Sequence, residues 1–173
     1  MDLALVDKLL GETHLSFDET PAVAELRSDA AVESPTRIRK SFGDDGPYRP
    51  FAQRGLLIAF DGEGDYHVAG AHAKLVRYVL TRSGLRNPPV EELRSPAGFE
   101  LVACGIRAKS DSTSDYVDVT VVVQVANGAL AKTRAPFRLL QLQSEDQGVI
   151  LALVPLTVSN QLREALSDFV ADG

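Results

Sequence analysis

Three carboxylates alternate with glycines in one short segment of the chain, and two histidines follow closely after it. The acids are Asp61, Glu63 and Asp65, and the histidines are His67 and His72. Alternating acids on a glycine-rich loop supply the oxygen ligands that a hard cation such as calcium prefers, but this loop lacks the length and the closing bidentate acid of a helix-loop-helix calcium site. We interpret it as an acidic hairpin turn, with a metal at the three acids as the alternative, and expect no cofactor.

The two histidines lie on either side of Gly70, one at a predicted strand end and one at a predicted helix start. This arrangement differs from the one-turn spacing of zinc ligands on a helix. A neutral imidazole at a helix N-terminus suits an acid-base catalyst as well as a packing residue. We interpret His72 as a packing residue and keep it as the candidate catalytic residue.

Five cations form the predicted binding surface. Lys132, Arg134 and Arg138 lie side by side on the solvent face of a predicted strand, and Lys74 and Arg77 lie on the polar side of a predicted helix. Neighbouring cations attract an anion or an acidic partner. The formal net charge of the chain is nevertheless -6, whereas a nonspecific nucleic-acid binder carries a basic field. The sequence therefore argues against nucleic acid as the principal partner.

Motifs for several other chemistries are missing from the sequence. Cys104 is the single cysteine, which excludes an intramolecular disulfide and a cysteine-based zinc cluster, and we expect it to be a buried small residue. The chain contains no nucleophile elbow, phosphate loop or dinucleotide fingerprint. The longest apolar run, 149–156, is too short to cross a bilayer, and the first residues lack the basic region of a signal peptide. We expect a cytoplasmic protein without a membrane partner.

Residues 116–126 have the strongest pattern in the chain. Valines occupy alternate positions there, which predicts a strand with one buried face in an antiparallel sheet. A three-residue loop, 126–128, with Gly128 in the left-handed conformation, is then expected to lead into a second strand within 129–143. This register places Lys132, Arg134 and Arg138 on the solvent face.

The remaining elements are predicted from local periodicity and turn residues. Helices are expected over 3–10, 71–83 and the residues after Ser159, strands over 55–60, 66–69, 99–107 and 149–156, and one helical turn over 90–94. Residues 12–54 contain Pro21, Pro35, Pro47 and Pro50, which exclude a long regular element. We predict a surface-draped or mobile arm there, with a short helix near 22–26 and an edge strand near 37–42.

The order helix, strands, helix, strands, helix predicts one α+β domain over 1–173, with a single antiparallel sheet of about five to six strands and helices packed on one face. In element order, length and acidity the chain resembles the small acidic secretion-chaperone-like proteins, whose dimers hold a client segment. It is also similar to the hot-dog fold, in which a sheet wraps a central helix, here residues 71–83.

Three functions follow from these patterns. The first is a non-enzymatic protein-binding or adaptor protein, chaperone-like and dimeric, that engages a protein partner through an exposed sheet face or the arm 12–54. The second is a hot-dog-type acyl-thioester enzyme with His72 near its active site. That resemblance implies an acid or histidine around the central helix, where 71–83 has no Asp or Glu, so we favour the non-enzymatic function. The third is a nucleic-acid-binding accessory protein that uses Lys132, Arg134 and Arg138.

Overall fold

The computed structural model describes residues 2–44, 46–143 and 148–170. Its α-helices are α1 (Leu3–Leu10), α2 (Pro21–Asp29), α3 (Pro35–Phe42), α4 (Arg49–Ala52), α5 (Ala71–Arg82), α6 (Val119–Lys132) and α7 (Ser159–Ala165). Its strands are β1 (Leu57–Asp61), β2 (Val90–Ser95), β3 (Gly98–Ala103), β4 (Ile106–Ser110), β5 (Phe137–Leu142) and β6 (Gly148–Pro155). A 3₁₀ turn over Leu156–Val158 precedes α7.

The strands form two antiparallel sheets. Sheet I has the order β1-β6-β5 and sheet II the order β2-β3-β4. This arrangement confirms the α+β class and the antiparallel pairing, but the prediction of a single sheet of five to six strands is wrong. Helices α5 and α6 come between the strand groups in the chain and contribute to a core shared with both sheets. One continuous sheet is therefore replaced by two sheets with helices between them.

Sheet I is covered on both faces. Buried residues of its strands contribute to the core with α5 and α6 on one side and, on the other, to a second core with α1, α3, α4 and α7. The central strand is β6, in which Ala152 pairs with Leu57 of β1 and Leu140 of β5. The apolar run 149–156 was predicted as an interior strand, and β6 confirms this with Pro155 at its end. The prediction that helices pack on only one face is therefore wrong for sheet I, because one covered face would leave the buried side chains of the other face exposed to solvent.

The predicted valine strand is a helix, so that the strand over 116–126 and the loop over 126–128 are both wrong. Helix α6 begins after Asp118, whose carboxylate accepts a hydrogen bond from the N–H of Val121 at 3.0 Å, and it continues through the expected turn. The buried residues of α6 recur in pairs four apart, as on one face of a helix. They are Val121, Val122, Val125, Ala126, Ala129 and Leu130.

Helix α6 uses the residues that had indicated a turn. The Asn127 side chain forms two hydrogen bonds with the main chain of Leu139, at 2.9 and 2.8 Å. An ideal Cβ placed on Gly128 would lie only 2.7 Å from Ile106 Cγ2, so a glycine allows β4 to approach the helix. The Asn-Gly pair therefore serves packing between the two sheets rather than a change of chain direction.

The predicted hairpin over 55–69 is half correct. Strand β1 is present, but residues 66–69 form turns, and β1 pairs instead with β6. The helical turn predicted over 90–94 is strand β2. Residues 99–107 were predicted as one strand, but they form most of the β3–β4 hairpin, which turns at Cys104 and Gly105 with φ of 51° and 79°.

The arm 12–54 contains short helices. The predicted short helix is present as α2, whereas the edge strand over 37–42 is wrong because these residues belong to α3. Ser34 caps α3, since its hydroxyl accepts a hydrogen bond from the N–H of Arg37 at 3.3 Å, and Pro35 is the first residue of the helix. Serine caps and early prolines favour helix starts, which explains the local outcome. Residue 45 of the arm lies outside the described residues.

Three predicted helices are confirmed. Asp2 caps α1 through the N–H groups of Ala4 and Leu5 at 3.0 and 3.1 Å. Helix α5 matches the prediction to within a residue, and Leu75, Val76, Val79 and Leu80 are buried on one side of it. Helix α7 occupies the predicted place, although Ser159 is its first residue rather than its cap. Residues 171–173 lie outside the described residues.

Candidate functional site

The candidate catalytic residue, His72, is enclosed in the first turn of α5. It is 1% exposed, with the Phe99 ring stacked on it at 4.2 Å and the Tyr66 ring 5.3 Å away. Its Nε2 accepts a hydrogen bond from the N–H of Asp118 at 3.1 Å, so in the neutral ring the proton lies on Nδ1. Among the described residues Nδ1 has no hydrogen-bond partner, and its nearest ion-pair atom is Glu92 Oε2 at 3.6 Å.

Glu92 provides the negative charge of this region. Its side chain is 0% exposed and accepts hydrogen bonds from the N–H groups of His72 and Ala73 at 2.9 and 3.2 Å and from Arg94 Nε at 2.7 Å. Burial raises the pKa of this carboxyl, but His72, the Ala73 N–H and Arg94 outweigh it and hold the pKa below its usual value. A charged carboxylate therefore stabilises the N-terminus of α5, where Gly70 provides no side-chain cap.

Arg94 and Asp118 complete what we call the polar cluster (His72, Glu92, Arg94 and Asp118). Arg94 donates to the main-chain oxygen of Tyr66 and lies over the Phe99 ring at 5.2 Å. Asp118 accepts from the Ser110 hydroxyl in addition to capping α6. The polar cluster thus joins α5, α6 and sheet II.

The chemistry of the polar cluster favours a structural role. Burial, with Asp61 nearby, raises the pKa of Tyr66 to about 12, so this phenol stays neutral at physiological pH. The His72 ring is closed off by Tyr66, Phe99 and the backbone of Asp118. Proton transfer requires the substrate to come within hydrogen-bond distance of the imidazole. A substrate would therefore have to displace these neighbouring groups first.

The candidate metal ligands Asp61, Glu63 and Asp65 are all exposed. Asp61 Oδ1 accepts from the N–H of Glu63 at 3.0 Å, a local turn contact. His67 is paired at 2.6 Å with Asp115 rather than with His72. Within the part of the chain that the structure describes, no three His, Cys, Asp or Glu side chains form a group that could hold a metal ion.

The three cations predicted side by side on one strand, Lys132, Arg134 and Arg138, lie in different elements. Lys132 lies in the last turn of α6, Arg134 follows it in a turn with φ of 57°, and Arg138 is on β5. Of the α5 pair, Lys74 is exposed, while Arg77 donates to the main-chain oxygen of Val90 at 2.7 Å. Residues 129–132 belong to α6 and β5 begins at Phe137, so these three cations do not form the predicted solvent face of one strand.

A groove of about 940 Å³ lies on a different side of the molecule, between α3 and the neighbouring ends of β1 and β6. We call it the arm groove because the arm 12–54 forms one wall and sheet I the other. Its described lining residues are Glu33, Arg37, Ile38, Ser41, Phe42, Pro47, Tyr48, Ala59, Phe60, Asp61, Gln143, Gly148, Val149, Ile150 and Phe169.

The arm groove combines aromatic walls with a charged rim. The rings of Phe42 and Tyr48 meet edge to face at 5.5 Å, and the Tyr48 hydroxyl donates to the main-chain oxygen of Gln143. On the rim, Glu33 pairs with Arg37 at 3.2 Å. Sequence reasoning missed this site because its walls come from distant segments, although the arm itself had been proposed as a binding element.

Comparisons with known proteins identify no relative. No protein-family model, no curated protein and no solved structure matches this chain. Within residues 2–44, 46–143 and 148–170, no helix has the length and apolar character needed to cross a membrane.

Proposed function

We propose that the protein is a non-enzymatic adaptor or chaperone-like protein that binds an extended segment of a protein partner in the arm groove. The observation that carries this proposal is the groove itself, which is open and lined by aromatic side chains from the arm and sheet I. Apolar clefts with a few polar groups are the usual form of binding sites. The enclosed position of His72 supports binding rather than catalysis.

The charges near the arm groove favour a basic partner segment. Arg37 on the rim is already paired with Glu33, whereas Asp61 is exposed at the end of β1 and is followed by the exposed acids Glu63 and Asp65. The chain as a whole has a net charge of -6. Opposite charges on the partner would increase the association rate and select among apolar segments. We therefore propose a partner segment with alternating apolar and basic residues.

The proposal also includes self-association and a cytoplasmic location. A single cysteine, half-buried in the β3–β4 turn, suits a compartment where thiols stay reduced. Self-association as a dimer would present two arm grooves to one partner, and bivalent binding raises the apparent affinity.

The test uses two labelled synthetic peptides, one of alternating leucine and lysine and the other of alternating leucine and glutamate. We expect fluorescence anisotropy to show binding of the lysine peptide and weaker or no binding of the glutamate peptide. Asp61→Lys should raise the dissociation constant of the lysine peptide about fivefold, because an attractive rim charge becomes repulsive. Asp111→Lys, an exposed acid outside the groove lining, makes the same change in net charge.

A second pair of variants tests the aromatic wall. Phe42→Ala should raise the dissociation constant of the lysine peptide about tenfold, because apolar contact is lost. Phe17 is a partly buried phenylalanine of the arm outside the groove lining, so Phe17→Ala should leave that dissociation constant unchanged. Melting curves identify variants that have lost stability. Equal affinities for the two members of each pair would contradict binding in the arm groove.

A further inference from the structure

Strand β2 is an edge strand of sheet II, and no described strand pairs with its outer side, where the main-chain oxygen of Val90 accepts a hydrogen bond from Arg77. The N–H of Cys104 donates to the main-chain oxygen of Pro89 at 3.0 Å, and this bond extends the β2–β3 ladder by one residue. Because main-chain groups alternate in direction along a strand, odd-numbered residues of β2 face β3. Glu92 and Arg94 therefore point their N–H and C=O groups away from the sheet.

The exposure of Glu92 supports an open edge. Its side chain is 0% exposed, yet the residue as a whole is half-buried, so its accessible surface belongs to the main chain. Among the described residues, the main-chain N–H and C=O groups of Glu92 and Arg94 have no backbone partner. An unpaired edge of this kind is a template for another strand.

We propose that β2 of a second copy of this chain pairs with this edge, antiparallel and around a two-fold axis at Leu93. In this register Glu92 faces the second copy's Arg94, and their main-chain groups form the bonded pairs. Leu93, which is 51% exposed on the open face of sheet II, faces its own counterpart. The result is a six-stranded sheet of order β4-β3-β2-β2-β3-β4. This inference rests on the self-association in the proposed function.

The charged side chains of β2 are complementary to a second copy of β2 rather than to an unrelated strand. Charged residues on the inner side of an edge strand normally oppose pairing, because an unrelated strand leaves them unmatched. Here the two-fold axis places the carboxylate of Glu92 beside a guanidinium and the Arg94 guanidinium beside a carboxylate. Opposite charges across neighbouring strands stabilise pairing.

The other edge of sheet II is less suited to pairing between copies. Ala103 and Ile106 flank the two-residue turn of the β3–β4 hairpin and form a bonded pair, so Arg107 and Lys109 direct their main-chain groups outward. Both of these side chains are exposed cations. Two copies joined there would place cation beside cation, which is destabilising. Strand β2 is therefore the self-complementary edge.

Light scattering over a concentration series tests the association. We expect the wild type to form a dimer, and Leu93→Lys to raise the dimer dissociation constant about tenfold or more, because it removes a leucine pair and opposes two charges. Leu156→Lys is the matched control, since Leu156 is also 51% exposed but lies outside sheet II. A dimer equally unaffected by both substitutions would overturn the proposed interface.

Cross-linking tests the register. In a Cys104→Ser background, Leu93→Cys places two thiols opposite each other at a non-bonded pair, where the Cα atoms lie about 4.5 Å apart, within disulfide range. With oxidised glutathione we expect a covalent dimer for Leu93→Cys but not for Leu156→Cys. Absence of the cross-link would overturn the register. A wild type that stays monomeric overturns the self-association and this interface, whereas the peptide assay tests the arm groove independently.

Discussion

At the scale of single residues, Glu92 decides the character of the polar cluster. A buried carboxylate is expensive unless it is paired and hydrogen-bonded, and this one has donors from α5 and from Arg94. Its charge also faces the N-terminus of α5, where a negative group is favourable. The cluster therefore holds α5 on sheet II, which agrees with a structural function for the neighbouring His72.

We predict that Glu92→Gln lowers the free energy of unfolding by about 1–3 kcal/mol at pH 7, because the substitution disturbs hydrogen bonds to a buried charge. The folded-state pKa of Glu92 lies below its ordinary value of 4.5. The charge therefore stabilises the fold above pH 4.5, and this contribution is lost as the pH falls below 4.5 through the folded-state pKa. The difference between wild type and variant should shrink over that range in urea unfolding.

Glu91→Gln is the control for this prediction, since Glu91 is the adjacent residue of β2 and its side chain is exposed. We expect its unfolding free energy to stay within about 0.5 kcal/mol of wild type. A cost for Glu92→Gln that is the same at pH 7 and in acid would show that shape, rather than charge, is what α5 requires.

At the scale of elements, α6 shows why the strongest sequence pattern was misinterpreted. Valine favours strands, and a row of valines at alternate positions satisfies period two while also containing the helical spacing of Val121, Val122, Val125 and Ala126. What favours the helix is the environment, because α6 lies between two sheets and is buried along one side. Neither sheet is visible in the local sequence, so local preference could not resolve the ambiguity.

The contact between Asn127 and β5 gives α6 a measurable role. The amide of Asn127 pairs with both main-chain groups of Leu139, a residue that is 1% exposed. Asn127→Ala leaves these buried groups without partners, so we predict a loss of about 1–3 kcal/mol in unfolding free energy and faster hydrogen exchange at the Leu139 amide. Gln124→Ala, at an exposed position of the same helix, should change neither quantity. Unchanged hydrogen exchange at Leu139 would contradict the conclusion that Asn127 protects the main chain of β5, an edge strand of sheet I.

At the scale of the whole molecule, the sequence predicted the elements whose signals are local. Helix α1 has its Asp2 cap, α5 has its apolar stripe, and the buried run of β6 ends at a proline. The arrangement of these elements in layers depends on contacts between distant segments, as does the arm groove. The polar cluster illustrates the same limit, because the sequence singled out His72, as a packing residue and candidate catalytic residue, but gave no signal for its partners Glu92 and Asp118.

The arm 12–54 is attached to the rest of the molecule by specific contacts. The N–H of Glu33 donates to the main-chain oxygen of Ala59 at 2.9 Å, and Arg82 of α5 donates to the main-chain oxygen of Ser16 at 2.9 Å. Glu19 lies between α2 and α5, where it pairs with Arg27 at 2.7 Å and accepts from the Tyr78 hydroxyl at 2.8 Å. Burial raises the pKa of Tyr78 above its ordinary value, and the hydrogen bond to Glu19 raises it further against the opposing charge of Arg82. The hydroxyl therefore remains a donor.

We predict that Glu19→Ala loosens this attachment and exposes the arm to proteolysis. The substitution leaves the largely buried Arg27 and Tyr78 without their carboxylate, which costs about 1–3 kcal/mol and should raise the tryptic cleavage rate of the arm about tenfold. Mass spectrometry of a trypsin time course identifies the sites, expected at Arg27, Arg37 and Arg39. Glu25→Ala, an exposed glutamate of α2, should be cleaved at the wild-type rate. Rapid cleavage of the wild type at the same sites would show that these contacts do not restrain the arm. In that case the arm, which forms one wall of the arm groove, would have to become ordered when a partner binds.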